Sequence, residues 1–300
     1  MQTLWPVLFK KRYPLDLRNE RFELDDGDYL ELCWSCNNSG KTVLILHGLE
    51  GSIHSHYARG IVYRLQQSGY TSVFMHFRGC NGQPNRLSRA YHSGETGDLQ
   101  QVVEHIRTVT GCYPHAAIGY SLGGNVLLKW LGESAAANPL TRAVAVSVPF
   151  QLEHAAQRLQ QGVSKIYRNY LLYLLRRTYS RKFARMPSPL RVDVNRLKSF
   201  HDYDDQVTAP LHGFNGADDY YRQCSSKQFL ANIHVPTRII HSQDDPFMFA
   251  HTVPQAEELS PAIDFLLTTR GGHVGFVCGN TPWSLRSWSE DRIMEYLEEN

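Results

Sequence analysis

Ser121 stands in the run Gly119-Tyr120-Ser121-Leu122-Gly123, with a glycine two places to either side. A serine hydroxyl attacks an acyl carbon only when a base takes its proton and a carboxylate orients that base. Both partners occur downstream. After the apolar run Thr237 to His241 comes Ser242-Gln243-Asp244-Asp245-Pro246-Phe247. After Ile263 to Leu267 comes Arg270-Gly271-Gly272-His273-Val274-Gly275. The chain has 14 histidines, so one histidine alone says little. A serine, a carboxylate and a histidine in that order, each behind a strand-like run, say much more. The expected chemistry is acyl transfer with Ser121 as nucleophile, His273 as general base and Asp245 as the orienting acid. Asp244 competes with Asp245 for the last role. Loop spacing favours Asp245, with Pro246 behind it, and leaves Asp244 solvated or hydrogen-bonded in the turn.

Attack on an acyl carbon builds negative charge on the carbonyl oxygen, and donors must already face it. His47-Gly48-Leu49-Glu50-Gly51 follows directly on the run Thr42 to Leu46. Together with the residue after the serine, this loop is expected to form the oxyanion hole, with the backbone N–H groups of Leu49 and Leu122 as donors. The alternative is that His47 only caps a strand end. No metal or organic cofactor is required by such chemistry.

These residues need elements to hold them. Thr42 to Leu46 is a continuous apolar, β-branched run, as in a strand buried on both faces. Similar runs recur at Thr71 to Phe77, Ala116 to Gly119, Ala143 to Val148, Thr237 to His241 and Ile263 to Leu267. Helical patterns separate them at Tyr57 to Gln67, Gly97 to Val109 and Leu122 to Leu131, and Pro282 to Glu298 closes the chain. Ahead of all these, Asp25-Asp26-Gly27-Asp28 divides Arg21 to Leu24 from Tyr29 to Trp34, a hairpin signal. Alternation of strand and helix means a mostly parallel sheet with helices on both faces. Ser121 follows a strand and opens a helix, the context its motif requires. The flanking glycines remove Cβ atoms that would collide in so sharp a turn. The expectation is an α/β-hydrolase fold with an eight-stranded sheet, as one domain over residues 1–300. From about 150 to 232 no strand-like run occurs, which predicts a helical cap inserted into that domain.

Taken together, these residues resemble the YheT-like family of α/β-hydrolases, whose eukaryotic relatives are membrane-associated. The resemblance extends to Leu49 to Arg59, to Met75 to Leu99, to the opening Leu4-Trp5-Pro6 and to Asp244-Asp245-Pro246-Phe247. It implies an esterase-type activity. Some relatives carry an H-x-x-x-x-D acyltransferase motif, and no histidine here fits it, since the fifth residue after His92 is Gly97. Arg78-Gly79 and Tyr91-His92-Ser93-Gly94 lie on the same rim as the triad. They are expected to pin a long loop, with Arg78 paired to Glu95 or Asp98, rather than to bind an anionic head group.

Bulk properties narrow the class. With 31 basic and 29 acidic residues, the balance gives no reason to expect a nucleic-acid partner. Six scattered cysteines in a long chain are read as free thiols, including the Cys33-x-x-Cys36 pair, and imply a reducing, cytoplasmic compartment. The first twelve residues do not read as a secretion signal, and no run is long enough to span a bilayer. Val163 to Arg185 contains no acid. Its Ile166, Tyr170, Leu171, Leu174 and Leu175 recur at helical spacing among Lys165, Arg168, Arg176, Arg177, Arg181, Lys182 and Arg185. This predicts a helix over Ser121, read foremost as a lid on an apolar acyl pocket and alternatively as a membrane-surface contact. The expected substrate is a small-molecule ester. A thioesterase, amidase, lysophospholipase or acyltransferase would use the same groups, and a non-catalytic binding module is the rival of another class. Because no spacing in the chain reads as a metal site, hydrolysis is expected to survive excess EDTA. Activity lost to the chelator and restored by zinc or magnesium would refute a metal-free mechanism.

Overall fold

A computed structural model of the chain describes residues 13–35, 40–279 and 286–299. Cys36 and the opening Leu4-Trp5-Pro6 lie outside the described residues. The strands of the main sheet are β1 (Leu17–Glu23), β2 (Tyr29–Ser35), β3 (Thr42–Leu46), β4 (Thr71–His76), β5 (Ala116–Tyr120), β6 (Arg142–Val146), β7 (Thr237–Ser242) and β8 (Ile263–Thr268). Their order across the sheet is β1-β2-β4-β3-β5-β6-β7-β8. β1 and β2 form the hairpin expected at Asp25 to Asp28, and β2 runs antiparallel to β4. All other pairings are parallel. The fold is therefore the eight-stranded, mostly parallel one that the alternating runs predict.

The helices around the sheet are α1 (His56–Gln67), α2 (Thr96–Thr110) and α3 (Leu122–Ser134). Val43 to Leu46 are fully buried because apolar layers cover both faces of the sheet. Leu99, Val102 and Ile106 of α2 and Val126, Leu127 and Trp130 of α3 pack on one face. Ala58, Ile61 and Leu65 of α1 pack on the other, with Ile293, Met294 and Leu297 near the C-terminus. Side chains alternate across a strand, so Leu44 and Leu46 serve the first layer while Val43 and Ile45 serve the second.

Between β6 and β7 the described chain adds no strand to the sheet. It forms α4 (Leu152–Arg158), α5 (Ser164–Phe183), the short α6 (Phe200–Tyr203), a π-helical turn Asp204–Thr208, then α7 (Ala209–His212) and α8 (Ala217–Cys224). These helices have their own apolar cluster, which includes Leu159, Leu172, Tyr203, Val207 and Tyr221.

Several boundaries differ from the sequence expectation: β1 begins at Leu17, four residues ahead of Arg21, α3 runs on to Ser134, and the end of the chain departs most, although Pro282 itself lies outside the described residues. The closing helix, read from Pro282, is α9 (Trp288–Glu298), and it follows a two-residue strand Arg286–Ser287 that pairs with Val277–Cys278. A backbone amide of Trp288 donating to the Phe276 carbonyl ties the helix start to that pair. Such a long-range pairing has no local sequence signal.

Arg78 is pinned as expected, to Asp98 rather than Glu95. Its Nε and Nη2 donate to the two Asp98 oxygens at 2.7 and 2.6 Å, and its Nη1 lies 3.0 Å from Asp28 and 2.8 Å from Asp26. Asp28 is fully buried and also accepts from the amides of Tyr29 and Arg86 and from Asn85. Burial opposes its charge, but these hydrogen bonds hold its carboxyl below the ordinary range. The long loop after β4 is thus clamped to the β1–β2 hairpin. Removing one partner leaves buried charges uncompensated, so Arg78→Met is expected to cost about 3–5 kcal/mol of unfolding free energy. Urea denaturation reads this, and a loss below about 1 kcal/mol would reduce the clamp to a surface ion pair.

Candidate active site

The strand order turns back at β3 and β5, whose C-terminal ends lie side by side with Leu46 opposite Gly119. Clefts of open parallel sheets form at such a switch point. Ser121 sits there, between β5 and α3, at φ 51° and ψ −116°. A non-glycine residue in that region is strained and persists only where its surroundings impose it. Here the Ser121 amide donates to the Val146 carbonyl at 2.8 Å, and its carbonyl accepts from Asn125 at 3.0 Å. The chain passes so close to itself that a Cβ on Gly119 would lie 2.5 Å from the Gly123 carbonyl oxygen. One on Gly123 would lie 2.5 Å from the His47 carbonyl oxygen.

Ser121, His273 and Asp245 meet although they lie far apart in sequence. His273 Nε2 is 2.9 Å from Ser121 Oγ, and its Nδ1 is 2.9 Å from Asp245 Oδ2. His273 and Asp245 are 7 and 3% exposed, so water competes little for either bond. Nδ1–H donates to the carboxylate, which leaves Nε2 as the acceptor for the serine proton. Phe247 stacks on the imidazole at 3.9 Å between ring centroids. Its amide donates to the other Asp245 oxygen at 2.8 Å.

Asp244 points elsewhere. One of its oxygens accepts from the amides of Gly271 and Gly272, both at 2.8 Å, and from the Ser242 hydroxyl. Burial works against its charge, but these bonds hold its carboxyl below the ordinary range. The neighbouring aspartates therefore divide the work: Asp245 touches the imidazole and Asp244 clamps the loop that carries it.

Leu49 and Leu122 line the same cavity as Ser121. Leu122 is the first residue of α3, so no helical carbonyl can accept from its amide. The loop bearing Leu49 is fixed on both sides of that residue. The Gly48 amide donates to the Tyr57 hydroxyl, and the Glu50 amide to the Tyr91 hydroxyl, each at 2.8 Å. His47 holds the loop from inside. Its Nδ1–H donates to the Gly48 carbonyl at 2.6 Å, and its Nε2 accepts from the Phe77 amide at 3.0 Å. Complete burial, with His76 nearby, pushes its pKa down to about 3, so it works as a neutral brace. This exceeds the strand-end cap considered from sequence.

Two further residues had no sequence signal. Glu50 accepts from Tyr91 at 3.0 Å and from Thr178 of α5 at 2.5 Å, which joins the His47–Gly51 loop to the cap. Asn125, fully buried on α3, donates to the carbonyls of Ser93 and Cys224 and accepts from the Ser226 amide. Only contact across the fold reveals either role.

The cavity and the open solvent at its mouth together enclose about 1270 Å³ of empty space. Leu152, Leu159, Leu171, Leu175 and Met248 give it apolar lining, and Arg181, Lys182, His92 and His212 line it as well. The sequence groups Ile166 and Tyr170 with Leu171, Leu174 and Leu175 on one helical face. The structure divides them: Leu171 and Leu175 face the cavity, whereas Ile166 and Tyr170 are exposed. The helix needs apolar residues on the cavity side for the pocket, and the outer pair turns most of its surface to solvent.

Among the described residues, two clusters have metal-ligand types: Glu31 with Cys33 and His76, and His92 with Glu95 and His212. Both are already engaged as hydrogen-bond networks. His76 Nε2 accepts from the Ile53 amide, burial pushes the Cys33 thiol up to about 12, and Glu95 is held by Arg89. Neither cluster includes a member of the serine site.

Comparison with known proteins agrees with this architecture. Residues 41–279 match the family described as alpha/beta hydrolase fold. YheT of Escherichia coli K12, an esterase by name, is 43% identical over 99% of this chain and 89% of its own. Mouse phospholipase ABHD3 is 29% identical over 94% of this chain and 71% of its own. Among solved structures, the Pyrococcus furiosus esterase Pf2001 superposes with a TM-score of 0.61 at 19% identity, over 95% of this chain and 92% of that one, a likeness of fold.

The contacts of the paired aspartates separate their variants. Asp245→Asn is expected to lower kcat about ten-thousand-fold, because an asparagine favours the wrong imidazole tautomer. Asp244→Asn keeps a carbonyl oxygen for the two glycine amides and should lose far less. Steady-state kinetics of both variants decide this, and a crippled Asp244→Asn beside an active Asp245→Asn would reverse the assignment.

Proposed function

The chain belongs to the α/β-hydrolase family, and on that premise we propose that it is a serine carboxylic-ester hydrolase acting on apolar acyl esters. The observation that carries the proposal is the continuous hydrogen-bonded chain from Ser121 through His273 to Asp245, open to a cavity lined largely by apolar side chains. Ser121 Oγ attacks the acyl carbon while His273 Nε2 takes its proton. The tetrahedral oxyanion is held by the amides of Leu49 and Leu122. His273 then returns the proton to the departing alcohol, leaving an acyl-enzyme. Water attacks that ester as the same imidazole takes its proton; the bond to Ser121 Oγ then breaks, the imidazolium returns the proton to Oγ, and the carboxylic acid departs. Asp245 keeps Nδ1 protonated and stabilises the imidazolium in both halves. The acyl chain lies against Leu152, Leu159, Leu171 and Leu175. The chemistry calls on no cofactor and no metal, and the partner is a small ester rather than a nucleic acid.

A second reading, a phospholipase or lysophospholipase on the same triad, is favoured by the cavity wall. Arg181 and Lys182 line it, and neither has a carboxylate within 4.0 Å among the described residues. The buried Nε of Arg181 lacks a hydrogen-bond partner there. A phosphate-bearing ester suits such a wall, and the mouse relative is a phospholipase by name. The free thiols at Cys33, Cys80, Cys112, Cys224 and Cys278 favour a cytoplasmic site of action. Among the described residues, no helix is long and apolar enough to cross a membrane.

A fluorophosphonate probe is expected to label Ser121 alone, as read by mass spectrometry of the adduct, and Ser121→Ala should abolish both labelling and turnover. A panel of acyl esters of graded chain length, with a lysophospholipid of matched acyl chain, separates the two readings. Labelling that persists in Ser121→Ala would sink both.

A further inference from the structure

Helix α5 carries apolar residues on two opposite faces. Leu172, Leu175 and Tyr179 are buried in the body of the cap. Val163, immediately before the helix, and Ile166, Tyr170 and Tyr173 are 68, 68, 61 and 57% exposed. Their spacing of three, four and three residues places them on an arc of about 80° at 3.6 residues per turn, turned away from the buried face. The other exposed large apolar side chains among the described residues, Val109 and Leu267, are less open, at 51 and 39%. The exposure is therefore concentrated on this one helix, as on an interaction surface.

Charge identifies the occupant. Between Glu153 and Asp193 the chain has no acidic residue, while Lys and Arg recur throughout. Lys165 and Arg177 are exposed on α5. At the same periodicity Arg177 prolongs the apolar arc and Lys165 flanks it. A second copy of the chain across a two-fold axis would bring these cations face to face, since such an interface pairs one patch with itself. An anionic lipid surface instead offers headgroup charge to Lys165 and Arg177 and an acyl boundary to Val163 and Ile166. Tyr170 and Tyr173 are suited to the interface between the two.

We propose that this outer face of α5 docks on an anionic bilayer surface, with the helix lying in the plane of the interface. Leu171, Leu175 and Thr178 line the Ser121 cavity from the inner side of the same helix. Docking therefore sets the cavity about one helix diameter, some 10 Å, behind the lipid surface. Thr178 also donates to Glu50 of the oxyanion loop, so the docked helix is bonded directly to the site.

The test is co-sedimentation of the full chain with vesicles of phosphatidylcholine alone or mixed with phosphatidylglycerol, at low and at high salt. It reads binding, so it stands whether or not the protein hydrolyses esters, and Ser121→Ala protein should behave alike. Several-fold more protein is expected on the anionic vesicles at low salt, with release as salt screens the surface charge. The double variant Ile166→Glu/Tyr170→Glu should fall to the level of phosphatidylcholine alone while keeping its thermal unfolding profile. Lys165→Gln/Arg177→Gln gives an independent loss that touches no apolar contact. Equal binding to both vesicle types, or anionic binding that survives both double variants, would overturn the proposal. So would a concentration-dependent larger species in size-exclusion chromatography that the Ile166→Glu/Tyr170→Glu variant abolishes without any vesicle binding, because the face would then be an interface between copies.

Discussion

Everything at this site depends on how closely the backbone passes itself where β5 ends. Ser121 is held in a strained conformation by a hydrogen bond to β6 and by contact with the strand ends beside it. The contact is tight enough that side chains at Gly119 and Gly123 would meet carbonyl oxygens at 2.5 Å. Strain of this kind costs of order 1–3 kcal/mol and survives only inside a packed frame. The fully buried β3 and β5 supply that frame. The same closeness brings the His47–Gly51 loop against Ser121, so the serine and that loop are placed by one packing arrangement.

Around that point the fold uses buried polar groups as rivets rather than as reactants. His47 is neutral and bonded at both ring nitrogens, and Asp244 accepts from two glycine amides. Arg78 spans Asp98, Asp28 and Asp26. Each fixes a loop that leaves the C-terminal edge of the sheet, which is where a site assembled from four loops needs precision. Truncating one partner strands the other in a low-dielectric setting, so these groups constrain geometry more than they add net stability.

The cap obeys a different logic. α5 closes the cavity with one face and leaves large apolar side chains in water on the other. A helix that served only as a lid would carry polar residues outside. Thr178 bonds this helix to Glu50 of the His47–Gly51 loop, and Glu50 in turn accepts from Tyr91. Whatever contacts the outer face therefore meets a helix that is one hydrogen bond from the His47–Gly51 loop.

Local pattern alone determined the alternating strands and helices, the hairpin at Asp25 to Asp28, the turn at Ser121 and the order of serine, carboxylate and histidine. These are legible because burial imposes a period on each strand and helix, and because the sharp turn admits little but glycine beside the serine. Ends of the inner strands were legible to within a residue or two, as at Thr71–His76 and Arg142–Val146, whereas the half-exposed edge strand β1 begins four residues before the Arg21 read from sequence. Spacing could only favour Asp245 over Asp244. Which carboxylate touches the imidazole was decided by the path of the Gly271–His273 loop, which engages Asp244 through its amides. The same holds for Arg78 choosing Asp98 over Glu95, for Glu50 and Asn125, and for the division of α5 into a cavity face and an outer face. Each of these pairs groups far apart in sequence, and such contacts leave no local period to read: they exist only once the sheet has brought the loops together.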